Sequence, residues 1–198
     1  SKNTFREEEP GLRAALLDAQ SELRENGKFP VVILISGVDG AGKGETINVL
    51  YEWMDPRYLS TLAFSAPSDE EQERPYMWRF WRALPPKGRV GIFAGSWYSN
   101  PIAERICGQL SKGDLDQRMD QINRFEAMLV NEGALVLKFW FHLSKEGQKK
   151  RLKALEKDPL TAWRVTKASW KRLLISQVLM FFTGILLPVS ESTIRPMI

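Results

Sequence analysis

Four short apolar runs recur along the chain. The first, FPVVILIS at residues 29–36, is rich in β-branched residues and does not alternate between apolar and polar positions. Such a run is typical of a strand that is buried on both faces of a parallel sheet. LSTLAFS at 59–65, RVGIFAGS at 89–96 and ALVLKFWFHLS at 134–144 are further strand candidates. The runs therefore predict four strands of one sheet.

Two segments between these runs have clear helical spacing. Residues 41–54 and 115–133 carry apolar side chains three or four positions apart, and Gly133 is placed to cap the second helix. The side chains expected to share a buried face are Ile47, Leu50, Tyr51 and Met54, then Leu115, Met119, Ile122, Phe125 and Leu129.

Other helices are predicted from composition and capping. Residues 70–84 predict a helix that Pro75 kinks or starts, and the amphipathic segment 11–27 predicts a helix outside the sheet. Ser144 is suited to begin a basic helix after the fourth strand. Strands that alternate with helices predict an α/β domain with a doubly wound parallel sheet and flanking helices.

The first predicted strand runs directly into the glycine-rich sequence GVDGAGKGE at residues 37–45. Glycines let backbone amides wrap around a phosphate, and the positive end of the following helix adds to the attraction. We predict a phosphate-binding loop built from Gly37, Gly40, Gly42, Lys43 and Gly44. A glycine-rich turn between a strand and a helix also permits close packing without any ligand, so that alternative stays open.

Gly44 stands where phosphate-binding loops usually carry the hydroxyl that contacts magnesium. Asp39 is the nearest carboxylate within the loop. We predict that Asp39 binds Mg²⁺ or orients an attacking phosphate. The alternative is that Asp39 only stabilises the turn.

The positive charge of the chain is concentrated in one segment. Residues 144–172 contain ten basic and three acidic residues, a net charge of +7, whereas the whole chain carries +4. A cluster of this kind favours a polyanionic partner, although it is also typical of a solvated helix face.

The remaining composition favours a reducing compartment. The chain has one cysteine, Cys107, and one histidine, His142, which lie far apart in sequence. We therefore expect a buried thiol at Cys107 and a structural His142 rather than a nucleophile with its base. No export leader opens the sequence, so we expect a cytoplasmic protein.

The 17 residues from 173 to 189 carry no charge. A membrane span needs about 20 apolar residues, with roughly 17 as the lower limit. Polar positions within the segment favour a buried final helix over a membrane anchor. A third alternative is that this end of the chain is not native family sequence.

Several motifs together resemble a known family. They are GVDGAGKGE, MDPR, SWY followed by ER, the long block KFWFHLSKEGQKKRLKALEKDPLTAWRV and the tryptophan after it. Over about residues 10–170 the chain resembles the family-2 polyphosphate kinases, and most of all the N-terminal half of the two-domain polyphosphate:AMP phosphotransferases. The resemblance implies a P-loop kinase-like fold and phosphoryl transfer between inorganic polyphosphate and a nucleotide such as AMP, with Mg²⁺.

The resemblance also implies roles for individual residues. Lys43 and the loop glycines match the phosphate loop, Asp39 matches a metal-binding and catalytic aspartate, and Arg105 matches an arginine that contacts phosphate. The basic segment matches a lid over the polyphosphate, with Lys149, Lys150, Arg151, Lys153 and Arg164 as its cations. We further expect a second catalytic domain as partner and a homo-oligomer, with no nucleic acid partner and no membrane association.

The sequence departs from the family at Ala94 and Gly95, where active members carry an Asp-Arg pair before SWY. Loss of a magnesium ligand and a phosphate clamp predicts weakened catalysis. The alternative is a non-catalytic binding or scaffolding half of a two-domain enzyme. We divide the chain into a helical segment (1–28), a polyphosphate kinase 2-like domain (29–170, with the lid at about 144–170) and an apolar tail unlike the family (171–198).

Overall fold

The computed structural model describes residues 2–167, 169 and 170. Its centre is a parallel sheet of four strands, which confirms the predicted fold class. The strands are β1 (Val31–Gly37), β2 (Leu59–Ala63), β3 (Val90–Ala94) and β4 (Leu135–Phe141), in the order β2-β3-β1-β4. All pairings are parallel, so the carboxyl ends of the strands lie at the same edge of the sheet.

Seven helices connect and cover these strands in the described part of the chain. The helices are α1 (Lys2–Asn26), α2 (Lys43–Trp53), α3 (Asp69–Gln72), α4 (Trp78–Ala83), α5 (Ser99–Ile106), α6 (Lys112–Asn131) and α7 (Lys145–Lys157). Short 3₁₀ turns lie at Pro56–Tyr58 and Ala162–Arg164.

Both faces of the sheet are covered by apolar side chains, as the unalternated sequence of β1 predicts. Val32 and Leu34 belong to one buried cluster, together with aromatic residues of α4 and of the segment after β3. Ile33 and Ile35 point to the other face and pack in a second cluster with Leu23 of α1. Because successive strand residues point to opposite faces, one strand contributes to both clusters.

The caps and faces of the regular helices agree with the sequence in most positions. The predicted apolar face of α6 is buried at four positions, and Gly133 after it has a φ of 84°, as a C-terminal glycine requires. In α2, Met54 just past the helix end is buried, but Tyr51 is 37% exposed. Ser144 begins α7, and its hydroxyl accepts a bond from the Gly147 amide at 3.1 Å.

Three local predictions were wrong. The helix predicted at 70–84, with Pro75 as its kink or start, is instead two short helices, α3 and α4, separated by a stretch that contains Pro75. The N-terminal helix begins at Lys2 rather than Gly11, and Phe5 stacks on Trp53 with ring centroids 6.3 Å apart. Cys107 is exposed because it follows the last turn of α5 at the surface.

None of the helices in the described part of the chain is both long and apolar enough to cross a membrane. The apolar tail predicted at 173–189 lies outside the described residues.

Candidate functional site: a glycine-rich loop facing a basic helix

The glycine-rich loop, residues 37–44, leaves the carboxyl end of the central strand β1 and enters α2. Gly37, Gly40 and Gly42 have φ values of 130°, 78° and 98°, a region that favours glycine. At Gly37 the space is also restricted, since a Cβ there would lie 2.0 Å from the Phe141 carbonyl oxygen of β4. The local backbone therefore depends on glycine at this position for both conformation and space.

Lys43 is folded back across this loop. Its Nζ donates to the Gly37 carbonyl at 2.5 Å and to the Val38 carbonyl at 3.3 Å. The same ammonium group lies 3.7 Å from Asp39 Oδ1, and both side chains are a little under one-third exposed. The loop carbonyls and the carboxylate thus hold one positive charge beside the first turn of α2, where the helix dipole is also positive.

The basic helix α7 lies directly against this loop. Arg151 Nη2 is 3.0 Å from Glu45 Oε1 in the first turn of α2, and Arg164 Nη1 is 4.0 Å from the same oxygen. The stem of Arg151 covers Gly40, where an added Cβ would lie 3.3 Å from Arg151 Cγ. Loop and basic segment, more than 100 residues apart in sequence, therefore form one site.

A cavity of about 360 Å³ lies between the loop and the basic segment. The wall on the loop side is made of three charged residues, three glycines and one asparagine. The opposite wall is made of Leu152, Leu155, Arg164 and Ser169. Backbone amides in the first turn of a helix lack carbonyl partners within that helix, so this wall suits an anion. The lining residues from the loop side are Asp39, Gly40, Gly42, Lys43, Gly44, Glu45 and Asn48.

The structure brings together only part of the predicted set. Arg151 packs on Gly40 at the edge of the cavity, and Arg164 lines the cavity itself. Lys149, Lys150 and Lys153 are exposed on α7 and do not line it. Arg105 lies on α5, where its Nη1 donates to the Leu110 carbonyl at 3.5 Å. Its buried Nε has no hydrogen-bond partner among the described residues, and Arg105 is likewise absent from the cavity wall.

Ala94 and Gly95 lie at the carboxyl end of β3, beside the start of the loop. Ala94 pairs with Ile35 of β1, and the Gly95 amide donates to the Ile35 carbonyl at 2.9 Å. Gly95 has a φ of 80°, and a Cβ there would lie 3.3 Å from the Phe64 carbonyl oxygen. The position after Ala94 is therefore adapted to glycine, and a larger residue would strain the backbone.

A partly buried polar network anchors the segment that follows Gly95. Glu126 of α6 accepts hydrogen bonds from Trp97 Nε1 at 2.9 Å and from the Tyr98 hydroxyl at 2.7 Å. Lys138 of β4 pairs with the other oxygen of Glu126 at 2.5 Å. Burial raises the pKa of the Tyr98 phenol, and the negative charge of Glu126 raises it further. Trp97 and Tyr98 are thereby fixed at the start of α5.

Sequence reasoning missed Glu45 and the Glu126 network. Glu45 is visible in the sequence as an acidic residue two positions after the loop lysine, an unexpected charge for an anion site. Glu126 gave no signal beyond a polar position in an amphipathic helix, because its partners come from α5 and β4.

Mg²⁺ requires oxygen ligands, and two carboxylates lie at this cavity. Asp39 and Glu45 line the cavity, but each is paired with a cation. Within the described residues there is no group of three or more histidine, cysteine or acidic side chains arranged to hold a metal. Mg²⁺ is usually held by one or two carboxylates together with substrate phosphates, so Asp39 fits an ion that arrives with a phosphate.

The parallel sheet, the glycine-rich loop after its central strand and the lysine at the start of the next helix define the chain as a protein of the P-loop kinase-like fold. The sequence model described as "Polyphosphate kinase 2 (PPK2)" matches residues 1–174. The chain belongs to the polyphosphate kinase 2 family.

Similarity to individual proteins is consistent with this assignment. A polyphosphate:AMP phosphotransferase of Pseudomonas aeruginosa is 56% identical over 171 residues, which are 86% of this chain and 34% of that protein. The GDP-polyphosphate phosphotransferase of the same organism is 36% identical over 172 residues, 87% of this chain and 48% of that protein. The chain thus spans from about a third to half of the length of these relatives.

Solved structures show the same fold. A crystal structure described as a polyphosphate kinase 2 from Pseudomonas aeruginosa PA01 has a TM-score of 0.81 and 48% sequence identity, and the match covers 94% of this chain and 37% of that one. Polyphosphate Kinase 2 from Arthrobacter aurescens TC1 has a TM-score of 0.86 and 28% identity, covering 94% of this chain and 66% of that one.

Proposed function

We propose that the chain is a polyphosphate-dependent phosphotransferase domain whose own catalysis is weakened. Its reaction would move a phosphoryl group between inorganic polyphosphate and a nucleotide such as AMP, as the names of its relatives suggest. The substrate pair, the magnesium ion and the cytoplasmic location are parts of this proposal.

The cavity between the loop and α7 is the observation that carries the proposal. It combines the Lys43 ammonium, the first turn of α2 and the Arg164 guanidinium around one open space. Phosphoryl transfer depends almost wholly on positioning and on electrostatic stabilisation, and these three groups supply both. Lys43 would neutralise the phosphate being transferred, while Arg151 and Arg164 would bind the polyphosphate chain.

Asp39 would hold Mg²⁺ beside the same phosphate. The ion would neutralise negative charge on the phosphate oxygens. Asp39 is held near Lys43, so the carboxylate and the ammonium group face the same part of the cavity.

The weakened catalysis follows from Ala94. This residue is placed next to the end of β1, where its methyl group offers no ligand to a metal and no charge. Removal of one group that stabilises the transition state commonly lowers the rate by about 10²–10³. We therefore expect slow turnover by this chain alone.

A non-catalytic domain that binds polyphosphate or nucleotide is the alternative. The curated relative at 56% identity is about three times as long as the matched region, which leaves room for a second, catalytic domain in such proteins. On this alternative, the chain binds the anion or a partner domain and turns over nothing. A homo-oligomeric state is compatible with both.

The decisive assay measures ADP formed from polyphosphate, AMP and Mg²⁺. The wild type should exceed Lys43→Ala, and the Lys112→Ala control, altered at an exposed lysine that begins α6, should match the wild type. If wild type and Lys43→Ala form equal amounts of ADP, the chain has no phosphotransferase activity of its own. Polyphosphate binding that is lost in Lys43→Ala and weakens with salt would then support the binding alternative.

A further inference from the structure

Glu45 places a negative charge in the same cavity as the Lys43 ammonium and the Arg164 guanidinium, the two groups that suit this cavity to an anion. It occupies the first turn of α2, two residues after Lys43, and lines the cavity. Its carboxylate lies 3.0 Å from Arg151 and 4.0 Å from Arg164. All three side chains are about half exposed, so the contact is accessible to a ligand from solution.

The two arginines are the same groups that would bind polyphosphate. A guanidinium group recognises carboxylate and phosphate oxygens with similar geometry, and therefore cannot serve both fully at once. The Glu45 carboxylate thus lies where an oxygen of a bound phosphate would meet Arg151. Its negative charge would also repel any phosphate that enters the space beside Lys43.

The same contact joins the basic helix to the loop. Arg151 reaches Glu45 with its guanidinium while its stem covers Gly40. The Glu45 carboxylate therefore holds Arg151, and with it α7, next to the loop. A phosphate of the substrate would bind Arg151 in a similar way.

We propose that Glu45 is an internal competitor for the anion site, and that polyphosphate must displace its carboxylate from Arg151 and Arg164 in order to bind. This inference rests on the proposed function, because it concerns the same cavity. Glu45 then sets the affinity of the site and disfavours weakly charged anions, since only a ligand with several charges replaces both contacts.

The test compares variants for binding of fluorescently labelled polyphosphate by anisotropy at fixed salt. Glu45→Gln keeps the size of the side chain and removes its charge. Glu52→Gln is the matched control: it makes the same change in net charge on the same helix, about 10 Å away along the axis. Thermal melts establish that each variant is folded.

Glu45→Gln should bind about five-fold more tightly than wild type, which corresponds to about 1 kcal/mol, the upper value for a half-exposed ion pair. Glu52→Gln should stay within about two-fold of wild type, because its charge is about a Debye length from the site. Equal or weaker binding by Glu45→Gln, with binding still lost in Lys43→Ala, would overturn the role of Glu45 and leave the proposed function standing. Binding unaffected by Lys43→Ala would overturn both.

Discussion

The conformation of the glycine-rich loop depends on Gly37, and an alanine there should be strongly destabilising. The added Cβ would lie 2.0 Å from the Phe141 carbonyl oxygen and 2.6 Å from the Phe141 nitrogen. Backbone atoms of a paired strand cannot turn aside as a flexible side chain would, so β1 and β4 must separate. The φ of 130° adds strain for any residue with a Cβ.

The cost can be estimated from these two effects. Left-handed backbone costs roughly 1–2 kcal/mol for a non-glycine residue, and overpacking typically costs about 1–3 kcal/mol. Gly37→Ala should therefore lose about 2–5 kcal/mol of a total unfolding free energy of roughly 5–15 kcal/mol. Since the Gly37 carbonyl also accepts the bond from Lys43, polyphosphate binding should fall in the fraction that stays folded.

Gly44→Ala is the matched control. Gly44 belongs to helix α2, and among the described residues no atom outside the adjacent helix backbone lies within 4 Å of a Cβ added there. There the change should be neutral or stabilise the protein by up to about 1 kcal/mol, because alanine is the better helix former. Urea unfolding followed by tryptophan fluorescence measures both variants. A loss below about 1 kcal/mol in Gly37→Ala, or equal stability of the two variants, would show that β1 and β4 accommodate a Cβ at this position.

Three further predictions concern the segment after β3. Glu126→Leu should lower the unfolding free energy, measured in urea, by about 2–4 kcal/mol because it leaves Lys138, Trp97 and Tyr98 without their shared acceptor. The expected loss is somewhat smaller than for a fully buried ion pair, since Lys138 is 29% exposed. A loss below about 1 kcal/mol would argue against the network. Because burial raises the pKa of Tyr98, the folded protein holds the phenol proton more tightly than the unfolded chain does. The contribution of Tyr98 to the unfolding free energy should therefore be constant below about pH 10 and fall above it. Urea titrations at several pH values measure this fall, and Tyr98→Phe should remove the part that is due to Tyr98. Ala94→Asp should raise Mg²⁺-dependent ADP formation at least about tenfold. Adding Gly95→Arg to this variant should cost roughly 1–2 kcal/mol of unfolding free energy, because Gly95 has a φ of 80°. A double variant as stable as Ala94→Asp alone would contradict that strain.

The regular elements of the fold were predictable because their signals are local. The unalternated apolar run before the loop identified β1, and apolar spacing identified α6. Pro75 predicts a kink or a helix start, but the sequence does not show that the chain on either side forms only short helices. The exposure of Cys107 depends on where α5 ends, and such boundaries carry a weak sequence signal.

The candidate site was predictable in its parts but not in its assembly. The loop glycines and Lys43 were evident from spacing and chain order. The contacts of Arg151 and Arg164 with Glu45 are tertiary. Sequence alone therefore does not separate these two arginines from Lys149, Lys150 or Lys153, which carry the same charge. The left-handed φ of Gly95 likewise depends on the packing of the turn after β3.

The central claim is that the loop amides and Lys43 form an oxyanion site. A titration of the ¹⁵N-labelled protein with tripolyphosphate, followed by NMR, tests it most directly. We expect the amide signals of Gly40, Gly42 and Gly44 to shift together, and Lys43→Ala to abolish these shifts. A second group of arginines lies around Tyr58: the guanidinium carbons of Arg24, Arg57 and Arg89 are 5.2–5.8 Å from the centroid of its ring. Shifts confined to that group would contradict an oxyanion site at the loop.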